Sequence, residues 1–178
     1  MKPQRAQVIL ALALVAIAVW LRLLPHAANF APVAAIAIFG GAVLPRRVAV
    51  WVPLGAMVVS DMFIGFYDMM PVTWTCYVLI ALASSHWLRK LSLVRGVAIT
   101  LGSSLFFYVV TNFAVWASSG MYAHTWSGLA QCYVMALPFF RATLASDVIY
   151  VAALFGAFAF AGKFIRTVLV KYVKHPVA

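Results

Sequence analysis

The chain has 178 residues, of which 66% are hydrophobic, 15% aromatic and 9% charged. Soluble domains are about 45–50% apolar and about 25% charged, so this composition excludes a soluble globular domain and a disordered chain. The net charge of +10 does not mark a nucleic-acid binder: the acids are only Asp61, Asp68 and Asp147, and the basic residues sit at the ends of apolar runs, where membrane proteins place them.

At about 20 residues per crossing, the length allows one domain (1–178) of about six transmembrane helices. The first apolar segment, 6–24, follows Lys2 and Arg5. It begins like a signal peptide but runs on to Arg22 and Pro25 without a clear small-residue cleavage site, so a retained helix is expected. The second, 31–44, is short and is followed by Arg46 and Arg47. It carries small residues four apart, Ala31 with Ala35 and Ala37 with Gly41, a face that lets another helix approach closely. That face serves either packing within the bundle or docking on a partner subunit. The third, fourth and fifth segments are 48–67, 71–88 and 94–118, and the last is 141–162, followed by a basic tail.

Residues 128–140 are also apolar. Joined to the last segment they would make about 35 residues, or about 50 Å of helix, too long for one crossing. Pro138 is a natural break, so this piece is expected as an interfacial or re-entrant segment before helix six. The expected fold is all-α: a polytopic bundle of six transmembrane helices. With the N-terminus in the cytoplasm, every basic residue except Arg22 and Arg141 falls inside, which places both termini there.

Charge inside a membrane is costly and usually marks function. Asp61 lies about 9 Å below the outer end of the third segment, and Asp147 and Asn112 are expected at similar depth in the sixth and fifth. Cys76 lies about 7–8 Å into the fourth. Asn29 sits at the outer mouth of the second, level with Arg22 and Arg141. Together these outline an outward-facing polar layer. Each has a structural alternative: Asp61 pairing with Arg141 or Arg22, Asp147 capping or pairing, Asn112 bonding a neighbouring helix. The aromatics Trp74, Tyr77, Trp116, Tyr122 and Trp126 form either an interfacial belt or the walls around a large flat ligand.

Cys76 is open to three readings: a buried small hydrophobe, half of a disulfide with Cys132, or a soft metal ligand. No second ligand stands at zinc-like spacing, so a lone thiolate suffices only where a macrocycle supplies the other ligands. His26, His86 and His124 lack ligand spacing. There is no nucleophile elbow, phosphate loop or close carboxylate pair, so no enzyme active site and no ATP hydrolysis are expected, and no intrinsic cofactor.

The stretches at 24–47, 53–82 and 103–150, with NFAPV, FGG, SD, TNFAVW and ALPFFR, resemble a family of small six-helix bacterial membrane proteins. These are similar to the substrate-binding S components of energy-coupling-factor (ECF) vitamin transporters, and most like the solitary BtuM-type vitamin B12 uptake proteins. The resemblance implies an S-component-like bundle in the bacterial inner membrane, with cobalamin as transported ligand. It makes Cys76 the axial ligand of the corrin cobalt, with the lower base displaced. Asp61, Tyr77, Asn29, Asn112, Trp116, Arg141 and Asp147 are the expected ligand-binding set. A strongly donating thiolate should also weaken a bond trans to it on cobalt. Two alternatives remain: an S component for another vitamin, docked on ECF coupling subunits with a shared ATPase, or a membrane scaffold that transports nothing.

Overall fold

The computed structural model describes residues 3–88, 90 and 92–174, with side chains over 5–88, 90 and 92–164. All regular structure among them is helical: α1 (Pro3–Leu23), α2 (Val33–Val43), α3 (Arg46–Ala49), α4 (Trp51–Ile64), α5 (Met70–Trp87), α6 (Leu93–Ser118) and α7 (Trp126–Lys174). Four stretches are long and apolar enough to cross a membrane: Arg5–Leu23, Arg46–Ile64, Leu93–Ser118 and Trp126–Phe164. Val33–Val43 is a shorter apolar helix. α5 has sufficient length, but its ends are diluted by Thr73, Trp74, Thr75, Ser84, Ser85 and His86.

Prolines punctuate the chain. Pro32 precedes α2, and Pro45 follows it, holding Leu44 extended as the residue before a proline must be. This limits α2 to 11 residues. Short as it is, α2 forms the centre of the bundle, and every residue from Val33 to Gly41 is buried. Ala34, Ala37 and Ile38 pack with Tyr77, Ile80 and Ala81 of α5 and Ile99 of α6. Ala35, Ile36 and Phe39 pack with Ala11, Val15 and Ala18 of α1 and Leu154 of α7. The Phe39 ring meets Phe155 and Phe158 edge-on, at 5.2 and 5.5 Å between centroids. The small residues Ala35, Ala37 and Gly41 of α2 therefore serve the bundle interior. Gly41 shows how tight the approach is: a Cβ there would lie 2.4 Å from the Ala81 carbonyl oxygen.

The outer surface is the inverse. Trp20, Trp51, Phe63, Leu93, Phe160 and Phe164 are all exposed. So extensive an apolar surface suits lipid, not water.

One expectation is overturned. The chain does not break at Pro138, and 128–140 is continuous with the last helix. α7 runs continuously for 49 residues through Pro138, a length of about 74 Å. Proline removes one helical hydrogen bond and crowds the preceding turn. Here α6 braces that turn. Tyr108 Oη donates to the Tyr133 carbonyl at 2.6 Å, and Tyr133 Oη donates to the Val109 carbonyl at 2.8 Å. Contacts with a neighbouring helix help a membrane helix tolerate proline.

Gly41→Ala forces apart α2 and α5, so its thermal unfolding in detergent should show a loss of about 1–3 kcal/mol. Gly156→Ala, where an added methyl meets nothing within 4 Å, should be neutral or gain up to about 1 kcal/mol. Equal effects at the two sites would contradict the central placement of α2.

Candidate functional site

The polar residues separate into three groups. The first joins the end of α1, the last turns of α4 and the first turns of α5. Asp61 is fully buried. Its Oδ1 accepts from Arg22 Nη2 at 2.6 Å, and its Oδ2 accepts from Trp74 Nε1 at 2.7 Å. Arg22 Nη1 also donates to Ser60 Oγ, whose own hydrogen reaches back to the Ala56 or Met57 carbonyl. Tyr67, in the turn after α4, stands nearby; burial pushes its hydroxyl above the ordinary tyrosine range, opposed by a hydrogen bond with Thr73. Each carboxylate oxygen of Asp61 has a donor, and its charge is neutralised by Arg22. The cluster fastens three helices together. The cation is Arg22; Arg141 is exposed and makes no ion pair among the described residues.

The second group lies between α6 and α7. Asp147 is 2% exposed, and Ser104 Oγ lies 2.6 Å from its Oδ2. The neighbouring Ser146 hydroxyl donates to the Ala31 carbonyl at 2.9 Å, tying α7 to the entrance of α2. Because α7 begins at Trp126, Asp147 is not near a helix end, contrary to expectation. It lies 21 residues along α7, about 32 Å from its start.

The third group lines a cavity of about 170 Å³. Phe107, Tyr108, Thr111 and Asn112 face it from α6, and Ala136, Phe139, Phe140 and Thr143 from α7. Asn29 closes it from the turn before α2. Asn112 Nδ2 donates to the Tyr108 carbonyl at 2.8 Å, an intrahelical bond. Asn29 holds φ at 58°, in the left-handed region that non-glycine residues seldom adopt outside constrained sites. Every polar side chain on this wall is uncharged. A larger cavity of about 460 Å³ follows the same α6–α7 seam further along, lined mainly by apolar side chains from Leu93 to Leu101 and from Val148 to Ala159.

Of the expected ligand-binding set, Asn29 and Asn112 meet at the smaller of the two cavities described above. Tyr77 is buried and stacks on Phe107 at 5.0 Å. Trp116 donates from Nε1 to the Ala123 carbonyl at 2.9 Å and packs against His124, closing the α6–α7 turn. Cys76 and Cys132 are both buried and free, so no disulfide joins them. Cys76 lines neither cavity described above; Cys132 Sγ donates to the Asn112 carbonyl at 3.4 Å. Among the described residues no group of three His, Cys, Asp or Glu side chains could hold a metal ion. The wall residues Tyr108, Thr111, Phe139, Phe140 and Thr143 and the Asp147 partner Ser104 escaped the sequence reading. Helical spacing from Asn112 would have found Tyr108 and Ser104, four and eight residues before it. Those on α7 were hidden by the assumed break at Pro138.

Asp61→Ala leaves Arg22 without a counter-charge and Trp74 without an acceptor, at an expected cost of about 3–5 kcal/mol in detergent unfolding. Combining it with Arg22→Ala should cost clearly less than the sum of the two single losses. Simple additivity would show that the pair contributes nothing as a unit.

No curated protein and no solved structure matches this chain. A family model matches residues 2–169, so the chain belongs to DUF6580, a family of unknown function.

Proposed function

We propose that this chain is an uptake protein of the bacterial inner membrane that takes a vitamin from the outer side, with cobalamin as the substrate. In this reading the chain crosses six times: through α1, α2, α3 with α4, α5, α6 and α7. The meeting of Arg22 near the end of α1, Asp61 near the end of α4 and Trp74 near the start of α5 supports that alternation. The distribution of basic residues assigns this shared end to the outside.

The observation that carries the reading is the position of Cys76. It is a buried, free thiol two residues from Trp74, whose indole bonds Asp61. The next residue, Tyr77, stacks on Phe107, and Phe107 is a wall of the outer cavity. Cys76 is thus the sequence neighbour of a ring that packs on the cavity wall. Pockets for drug-sized ligands are about 300–1,000 Å³, so in this reading the cavity of about 170 Å³ has to widen to admit a corrin. A corrin enters when the Tyr77–Phe107 stack parts and α6 with α7 moves away from α5. The thiolate then completes a cobalt that already has four equatorial nitrogens, and Asn29 and Asn112 meet the peripheral amides. Asp61, already satisfied by Arg22 and Trp74, is a fastening of the outer bundle and stays out of the ligand set. The chain has no phosphate loop, so any ATP-driven step belongs to a partner.

Detergent-purified protein incubated with cobalamin and freed of excess ligand should retain a stoichiometric corrin whose absorption is shifted from the free vitamin. Cys76→Ala should lose the ligand or the shift. Absence of retained corrin in the wild type would end the cobalamin reading and direct the search to other vitamins.

A further inference from the structure

The two buried aspartates solve the same problem differently. Asp61 has Arg22. Asp147 forms no ion pair with a described residue. Its hydrogen-bond partner is Ser104 from α6, and Tyr77 from α5 is electrostatically coupled both to it and to Arg22. Arg22, the nearest cation named there, is paired with Asp61. An ionised carboxylate left there would be an uncompensated charge in the middle of a membrane bundle, among the costliest arrangements a protein can hold.

The hydrogen bonds around Ser104 give an independent count. Its Oγ lies 2.6 Å from Asp147 Oδ2 and 3.0 Å from the Thr100 carbonyl oxygen. A carbonyl only accepts, and a serine hydroxyl has one hydrogen to give. If the carboxyl were ionised, two acceptors would compete for that single hydrogen, and one short contact would lack a proton. If the carboxyl carries a proton, it donates to Ser104 Oγ while Ser104 donates to Thr100. Both contacts are then complete hydrogen bonds of ordinary O–H···O length.

The location gives this proton a setting. The outer cavity is lined by Phe107 of α6 and Thr143 of α7. The apolar cavity begins at Leu101 and Val148. Ser104 and Asp147 fall between these levels on both helices, so their hydrogen bond closes the seam at the junction of the two cavities. We propose that Asp147 is a proton-binding site, a neutral carboxylic acid hydrogen-bonded to Ser104, set between the outer cavity and the apolar groove below it. This site stands whether or not cobalamin is the substrate.

The chain has only three acidic side chains, which makes the test direct. Infrared spectra of the protein at neutral pH, in a maltoside detergent free of ester carbonyls, should show one protonated-carboxyl C=O band that moves on transfer to deuterium oxide. Asp147→Asn should abolish the band, and Asp68→Asn, at an exposed residue, should leave it intact. Ser104→Ala removes the hydrogen-bond partner and should shift the band without removing it. Absence of the band in the wild type, or its survival in Asp147→Asn, overturns the proposal. An unshifted band in Ser104→Ala overturns the hydrogen-bonded arrangement.

Discussion

The structure depends on keeping charge and unpaired polarity out of its apolar interior. With three acids in 178 residues, two of them buried, the chain answers the problem twice by different means. At Asp61 an arginine and an indole N–H supply both charge and hydrogen bonds. The partners come from two other helices, so neutralising one carboxylate also fixes how α1, α4 and α5 meet. At Asp147 the partner is a hydroxyl, which leaves the charge itself to be removed. Ser104 thus sets the chemistry of α6 against α7 as Arg22 sets that of α1 against α4.

Around these fastenings the apolar packing is organised by α2. A helix of 11 residues between two prolines is too short to be an ordinary crossing, yet its composition of alanine, glycine, isoleucine and phenylalanine lets α1, α5, α6 and α7 close on it. Dispersion contacts, which depend on close approach, hold membrane helices together where no hydrophobic driving force separates them from lipid. Gly41 against the Ala81 carbonyl is that principle at its limit. The same burial removes α2 from the surface.

Much of this was legible in the residues. The apolar runs, the proline punctuation before α7 and the small-residue face of α2 placed every long helix but the last to within a few residues, because each is a local signal. Arg22 and Asp61 were legible as a pair only as one of two options, since sequence spacing does not say which cation reaches. Pro138 misled for a physical reason. A proline breaks a helix unless neighbours support the turn, and the support comes from Tyr108, which is 30 residues away in the chain. That error hid the length of α7, the depth of Asp147 and half of the cavity wall. Trp116 and Tyr77 were read as pocket residues because aromatics near a membrane surface look alike in sequence. Only the fold shows that one closes a turn and the other packs the core beside Cys76.

The account of function rests on Cys76, a buried free thiol whose sequence neighbour Tyr77 stacks on a wall residue of a cavity of uncharged polar groups. The most direct test is cobalt-edge X-ray absorption of the purified protein loaded with cobalamin. The account predicts one sulfur scatterer bonded to cobalt in the wild type and none in Cys76→Ser. A cobalt shell of nitrogen and oxygen alone in the wild type would contradict it, and would return Cys76 to the role of a small buried side chain.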